Sequence, residues 1–228
     1  MRGAPIPTIQ GRYEVNLALR AVIFDYGMVL SGPPDPEAHA ELVRITGLPA
    51  EQLDPLYWAD RIAFDAGTVS GQEFWRRIAQ EARLNLSETA IGELAQWDAR
   101  MWMTVNQAML AWQQKLKESG LRTAIISNLG DTVHDAMARE FKWLSQFDVL
   151  VWSYQLRLVK PDPAIYRYAL DKLGTLPEEA LFIDDRQENV DTAIETGMKG
   201  LVFSTVERLR ADLVATGLGE ELPLPART

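Results

Sequence analysis

The chain has 228 residues, 47% of them hydrophobic and 24% charged, with a formal net charge of −9. That length supports one sizeable core, or one core with a smaller insert, and the acidic balance lacks the positive footprint nucleic acid requires. The absence of cysteine excludes disulfides and thiolate chemistry, and two histidines, His39 and His134, are too few for a multi-histidine metal site. No apolar run approaches the ~18 residues of a membrane span, and the start, MRGAPIPTIQGRYEV, has no apolar region of a secretory signal. The expected location is the cytoplasm.

Residues 1–20 are punctuated by proline and glycine and read as an N-terminal extension outside the core. AVIFD (21–25) is a short β-favouring run ending in a lone carboxylate, Asp25, before a Ser-Gly-Pro-Pro turn. Between residues 33 and 105, four segments carry apolar residues near a 3.6 period: EAHAELVRITG, YWADRIAFDAG, SGQEFWRRIAQEARL and SETAIGELAQWDARMW. Ser70 with Glu73, and Ser87, are helix-start signals. From residue 106 the pattern changes. Helix 106–120 is followed by strand 121–127, helix DTVHDAMARE, strand 147–153, a proline-opened helix closing at Gly174, strand 180–185, a helix ending at Gly197, strand 200–204 and a last helix. Strands alternating with helices predict a parallel sheet covered on both faces. The expected architecture is a doubly wound α/β core made of residues 21–32 and 106–228, with an α-helical cap, residues 33–105, inserted early.

Ligands of such sheets bind at the carboxyl ends of the strands. Those ends carry Asp25, Ser127-Asn128, Asp184-Asp185 and, after the third strand, Lys160. Taken singly, each is a common turn or helix-cap residue. Taken together they gather three acids on one edge, and like charges about 4 Å apart repel by about 4 kcal/mol at an effective dielectric near 20. A cation is needed. An all-oxygen donor set suits Mg²⁺, with Lys160 offsetting the remaining charge.

FDYGMVL, IISN, SYQLRLVKPDPAIY and FIDDRQENVDTAIETGM, in that order and with a helical segment between the first two, resemble the motifs of the haloacid dehalogenase-like hydrolase superfamily. The resemblance covers nearly all of the chain after residue 20. It implies that Asp25 is a nucleophile that accepts a phosphoryl group, and that Mg²⁺ is bound by Asp25, the Gly27 carbonyl and Asp185, with Asp184 supporting or ligating through water. It implies that Ser127 and the backbone N–H of Asn128 hold the phosphoryl oxygens and that Lys160 pairs with Asp25 and the transferring group. The substrate class so implied is a small phosphorylated metabolite.

The departure is Gly27. The familiar first motif has an aspartate two residues after the nucleophile, acting as general acid and base. A glycine cannot transfer a proton, and general acid–base help is typically worth 10²–10⁴-fold. FDYGMVL looks closest to a phosphatase subgroup that reads Asp-x-Gly here. Two alternatives stay open: a metal-independent 2-haloacid dehalogenase-like hydrolase, which also lacks the second aspartate, and a catalytically weak relative that binds a ligand or partner. Gly27 could also hold backbone angles closed to other residues.

The family's cap closes over the site and selects substrate. Trp58, Arg61 and Asp65, at i, i+3 and i+7 in one helical run, are candidate pocket residues, with Arg61 a candidate for a second anionic group. The alternative places the Trp in a bundle core and the Arg on a surface. Trp75, Trp97 and Trp102 read as cap core or interface. Both histidines read as surface or structural, although His39 is close enough to the first motif to substitute in proton transfer.

Overall fold

The computed structural model describes residues 18–226; the extension expected over residues 1–20 falls, for residues 1–17, outside the described residues. Leu19 is buried in the core, and the exposed Arg20 donates a backbone hydrogen bond to Glu179 and accepts one from Arg122.

Five parallel strands, β1 (Ala21–Phe24), β2 (Arg122–Ser127), β3 (Val149–Trp152), β4 (Ala180–Asp184) and β5 (Lys199–Val202), form one sheet in the order β3-β2-β1-β4-β5. The order reverses between β1 and β4, so a crevice opens there beyond the strand ends. Alternate residues of each strand face opposite layers. Val22, Phe24, Ile125, Leu181 and Ile183 pack on α6 (Gln107–Glu118), α7 (Asp131–Glu140) and α11 (Val206–Ala215). Ala21, Ile23, Ala124, Ile126 and Phe182 pack on α9 (Pro163–Leu173) and α10 (Gln187–Glu195). With both faces covered, β1 has no polar side and reads as an uninterrupted apolar run. The helix-start signals at Ser70 and Ser87 act as expected, each accepting a backbone N–H of the first turn, and Asn106 and Asp162 do the same for their helices.

The segment between β1 and β2 holds α1 (Pro36–Thr46), α2 (Ala50–Ala59), α3 (Arg61–Asp65), α4 (Gly71–Glu81) and α5 (Glu88–Met101), built around their own apolar cluster. The run expected as one helix through YWADRIAFDAG breaks at Asp60, whose φ of −110° and ψ of 12° leave the helical region. Trp58 and Arg61 therefore stand on two helices, not one face. The chains entering and leaving this insert lie side by side: Asn106 N–H donates to Leu30 O at 2.9 Å, Asp35 N–H to Met101 O at 2.8 Å, and Thr104 Oγ1 to Pro33 O at 2.7 Å. A short helix, α8 (Ser153–Leu156), follows β3 directly and has no periodic signal of its own. No helix among the described residues is long and apolar enough to cross a membrane.

Candidate active site

β1 delivers Asp25 to the crevice. Its backbone N–H donates to Ile183 O at 2.8 Å, which locks it beside β4, and its Oδ1 accepts the Tyr26 N–H at 2.6 Å. Lys160 reaches the same point from the turn after β3 and α8. Its Nζ lies 2.8 Å from Asp25 Oδ1 and 2.6 Å from Asp184 Oδ2, all three side chains being buried. The Asn128 side chain clamps the Lys160 backbone, accepting its N–H at 2.8 Å and donating to its carbonyl at 2.9 Å. Asp184 Oδ1 accepts the Arg186 N–H and the Asn189 side-chain amide, both at 2.9 Å. One ammonium is thus shared by two carboxylates, and the second carboxylate is itself fully hydrogen-bonded.

Burial pushes the Asp25 carboxyl up to about 7, with Lys160 pulling the other way and Asp184 and Asp185 adding to the rise. Burial alone would lower Lys160, but Asp25 and Asp184 outweigh it and hold the ammonium charged. Asp185 is also raised, by burial first and then by Asp184. Three acids surround one ammonium here, so Lys160 alone does not balance their charge when all are ionised. One oxygen from each of Asp25, Asp184 and Asp185 lies within 4.8 Å of the others. Asp184 has both oxygens engaged already, so it serves as the support of Lys160, and Asp185 is the acid that lines the cavity.

Residues Tyr26–Leu30 make one wide turn closed by Ser31 N–H on Tyr26 O at 2.7 Å. The strained residue in it is Met28, at φ +58°, not Gly27. Gly27 has φ −58° and ψ 131°, ordinary for any residue, and a Cβ there would meet only Asp25 Oδ2, at 4.0 Å. The suspicion of a glycine-only backbone is thereby overturned. The position is open to a side chain that the sequence does not supply.

A cavity of about 640 Å³ lies between the strand ends and the insert. Of the residues singled out in the sequence it brings together Asp25, Gly27, Ser127, Asn128, Lys160 and Asp185 from the core with Trp58, Arg61 and Asp65 from the insert; Asp184 sits behind Lys160. Arg61 is buried, with Nε 3.0 Å from Asp65, Nη1 3.2 Å from Asp98 and a hydrogen bond to the Tyr57 hydroxyl. Its guanidinium carbon stands 4.9 Å from the ring centres of both Tyr57 and Phe64. Asp65, Asp98 and the Tyr57 hydroxyl already engage this guanidinium, inside the protein. That corrects the reading of Arg61 as an anchor for a second anionic group, and equally the reading of it as a surface residue. Trp58 is exposed on the cavity wall, with Ile62 and Met28 near it.

The insert is seated by close contacts. A Cβ on Gly130 would lie 2.0 Å from the Phe64 ring. Ser153 Oγ donates to Asp65 O at 2.5 Å and accepts the Leu129 N–H at 3.0 Å. His39 pairs with Asp54 at 2.7 Å in a separate cavity of about 140 Å³ and does not line the main one. The idea of His39 as a proton-transfer substitute for the first motif therefore lacks geometric support. His134 bonds Tyr154 and packs on Trp152, and Trp75 is core. Sequence reasoning missed Asn189, Asp98 and Ser153. Only Asn189 had a signal, standing five residues after Asp184 on the first turn of α10.

Residues 80–203 match the family model of haloacid dehalogenase-like hydrolases. Bifunctional epoxide hydrolase 2 of Mus musculus is 31% identical over 92% of this chain, and the match spans only 41% of that protein. A phosphatase of Mycobacterium tuberculosis is 28% identical over 87% of this chain and 93% of its own length. The (S)-2-haloacid dehalogenase 4A of Burkholderia cepacia is 27% identical over 83% and 82%. Among solved structures, a haloacid dehalogenase family enzyme of Bacteroides thetaiotaomicron, crystallised as a magnesium complex, superposes with a TM-score of 0.69 at 21% identity, covering 82% of this chain and 94% of its own. That likeness shows the fold.

Proposed function

The chain belongs to the haloacid dehalogenase-like hydrolase family, and we propose that it is a cytoplasmic, Mg²⁺-dependent phosphomonoesterase of small phosphorylated metabolites. The observation that carries this reading is Asp25: a buried carboxylate at a cavity floor, with one oxygen held by Lys160 and the Tyr26 amide and the other left for attack. The donor set fits the ion. Asp25, Asp185 and the Gly27 carbonyl would hold it, all hard oxygen donors beside a charge surplus that one ammonium leaves unmet. When bound, Mg²⁺ supplies charge compensation to the carboxylates and phosphoryl oxygens.

Asp25 attacks phosphorus, the ester P–O bond breaks, and water then cleaves the aspartyl-phosphate. Lys160, fixed by Asp184 and by the Asn128 clamp, steadies the charge on the phosphoryl group. The Ser127 hydroxyl and the Asn128 N–H orient its oxygens. Beyond Lys160, the described cavity lining carries Arg61, held inside the protein by Asp65 and Asp98, and Arg186, exposed at the rim and paired with Glu188. Trp58, Ile62 and Met28 offer it an apolar wall. A substrate with a single phosphoryl group on an apolar body matches both facts.

Phosphate release from 4-nitrophenyl phosphate, with Mg²⁺ and with chelator, tests the reading. Release that requires the metal is expected; a folded enzyme that releases none with Mg²⁺ overturns it. One observation favours a second reading: with Asp184 committed to Lys160, a single spare acid remains beyond the nucleophile. Halide release from 2-chloropropionate in the presence of chelator would establish that dehalogenase chemistry instead. Failure of both assays would leave the weak, ligand-binding relative.

A further inference from the structure

Gly27 removes the residue that would protonate the leaving group, yet the position has room for one. The cavity therefore has to supply the proton from elsewhere or do without it. Its lining carries four carboxylates among the described residues: Asp25, Asp65, Asp185 and Glu188. Asp25 is the nucleophile, Asp185 belongs to the ion, and Glu188 is exposed and paired with Arg186. Neither histidine lines the cavity, the Tyr26 hydroxyl is bound to the Trp102 carbonyl, and Lys160 is wedged between two acids.

Asp65 remains, and the fold places it with care. Its backbone carbonyl takes the Ser153 hydroxyl, which in turn takes the Leu129 N–H, so one hydrogen-bonded relay ties Asp65 to the turn that carries Ser127 and Asn128. Phe64, its neighbour, is seated on Gly130 at the same turn. Its carboxylate is oriented by Arg61 Nε at 3.0 Å, and the residue lines the same cavity as Lys160 and Asp25. Arg61 does not neutralise it, because the same guanidinium also serves Asp98. Burial shifts the Asp65 carboxyl upward against the pull of Arg61, the direction that favours a proton donor.

We propose that Asp65, delivered by the insert, is the catalytic acid–base residue of this site and replaces the one absent at Gly27. The proposal rests on the phosphomonoesterase reading. As the bond from Asp25 to phosphorus forms and the ester bond breaks, the departing oxygen takes the Asp65 proton and leaves as the alcohol. The Asp65 carboxylate then takes a proton from the water whose oxygen attacks phosphorus. The Asp25–phosphorus bond breaks, orthophosphate leaves, and the Asp25 carboxylate and Asp65 carboxyl are both restored.

The experiment is a leaving-group series, from 4-nitrophenyl to alkyl phosphates, on wild type and Asp65→Asn with Mg²⁺ present. Wild type should depend weakly on leaving-group pKa. In Asp65→Asn the loss should grow along the series, reaching about 10²–10⁴-fold on alkyl esters and remaining far smaller on the nitrophenyl ester. Adding Gly27→Asp to Asp65→Asn should recover the alkyl rates selectively. The proposal is overturned if the loss is equal along the series, if there is no loss, or if wild type already shows a steep dependence. A wild type with no Mg²⁺-dependent phosphate release removes the parent reading and this one together. A wild type that turns over while the variant is slowed uniformly removes this one alone.

Discussion

The α/β core and the helical insert both bury charge, and they do it differently. The core brings Asp25, Asn128, Lys160, Asp184 and Asn189 from distant parts of the chain to one strand edge, where Lys160 meets its two partners at 2.6 and 2.8 Å and Asp184 has both oxygens satisfied. The insert wraps aromatic rings around Arg61, and Asp98 Oδ2 is left buried with no hydrogen-bond partner among the described residues. A parallel sheet fixes strand ends to within a hydrogen bond, so the core can hold a reacting constellation. The five-helix cluster meets the core at Gly130 and Ser153, and its contribution to the site depends on that seat.

The largest effect should come from breaking the core side. Asp25→Asn should lower phosphate release by at least about 10⁴-fold, the order seen when a nucleophile is removed, in steady-state assays. The same variant sharpens the electrostatics. Because folding raises the Asp25 carboxyl from 3.8 to about 7, the folded state holds a proton the unfolded chain has lost. The stability from that proton is full below about 4 and disappears as pH rises through 7. In chelator at pH 8, Asp25→Asn should therefore melt higher than wild type, by about 2–4 °C for each kcal/mol relieved, and the gap should close at acidic pH. Next in size, Lys160→Met leaves Asp25 and Asp184 facing each other uncompensated. Loss of a buried partner of this kind costs about 3–5 kcal/mol, readable by urea titration.

Two glycines separate the core from the joint. Gly27→Ala meets nothing closer than 4.0 Å and should leave the melting temperature within a degree or two, the scale of a surface change. Gly130→Ala pushes a methyl into the Phe64 ring and should unseat the insert, raising KM for phosphate esters about tenfold while the unfolding free energy from urea titration falls by the roughly 1–3 kcal/mol of an overpacked contact. The smallest effect belongs to the cavity wall. Trp58→Ala should raise KM for aromatic esters by about 1 kcal/mol's worth, some fivefold, with little change for glycerol phosphate.

The fold was legible because each strand of a doubly covered sheet is an apolar run and each helix carries its own start signal; Asp25, Ser127, Lys160 and Asp185 stood at the ends of those runs. Asp184 was legible as an acid but not as a support, since nothing in FIDD distinguishes the carboxylate that faces inward to Lys160 from the one that faces the cavity. The insert was harder. The break at Asp60 lies inside an unbroken helical pattern, and Asp98 is brought to Arg61 by packing across 37 residues, beyond any local period. Gly130 and Ser153 read as a turn and a strand end, and their role exists only where two parts of the molecule touch.

The paired chains at Leu30–Asp35 and Met101–Asn106 have a consequence for how the protein folds. β1 and β2 are neighbours in the sheet but about a hundred residues apart in the chain. Once the stem zips, the chain that must be looped to pair them shrinks to roughly 20 residues, which saves about 1 kcal/mol of closure entropy. The most extensive packing in the insert is α1 on α5, about fifty residues apart in the chain and flanking the stem, so closure of the insert brings together the two ends from which the central strand pair is made.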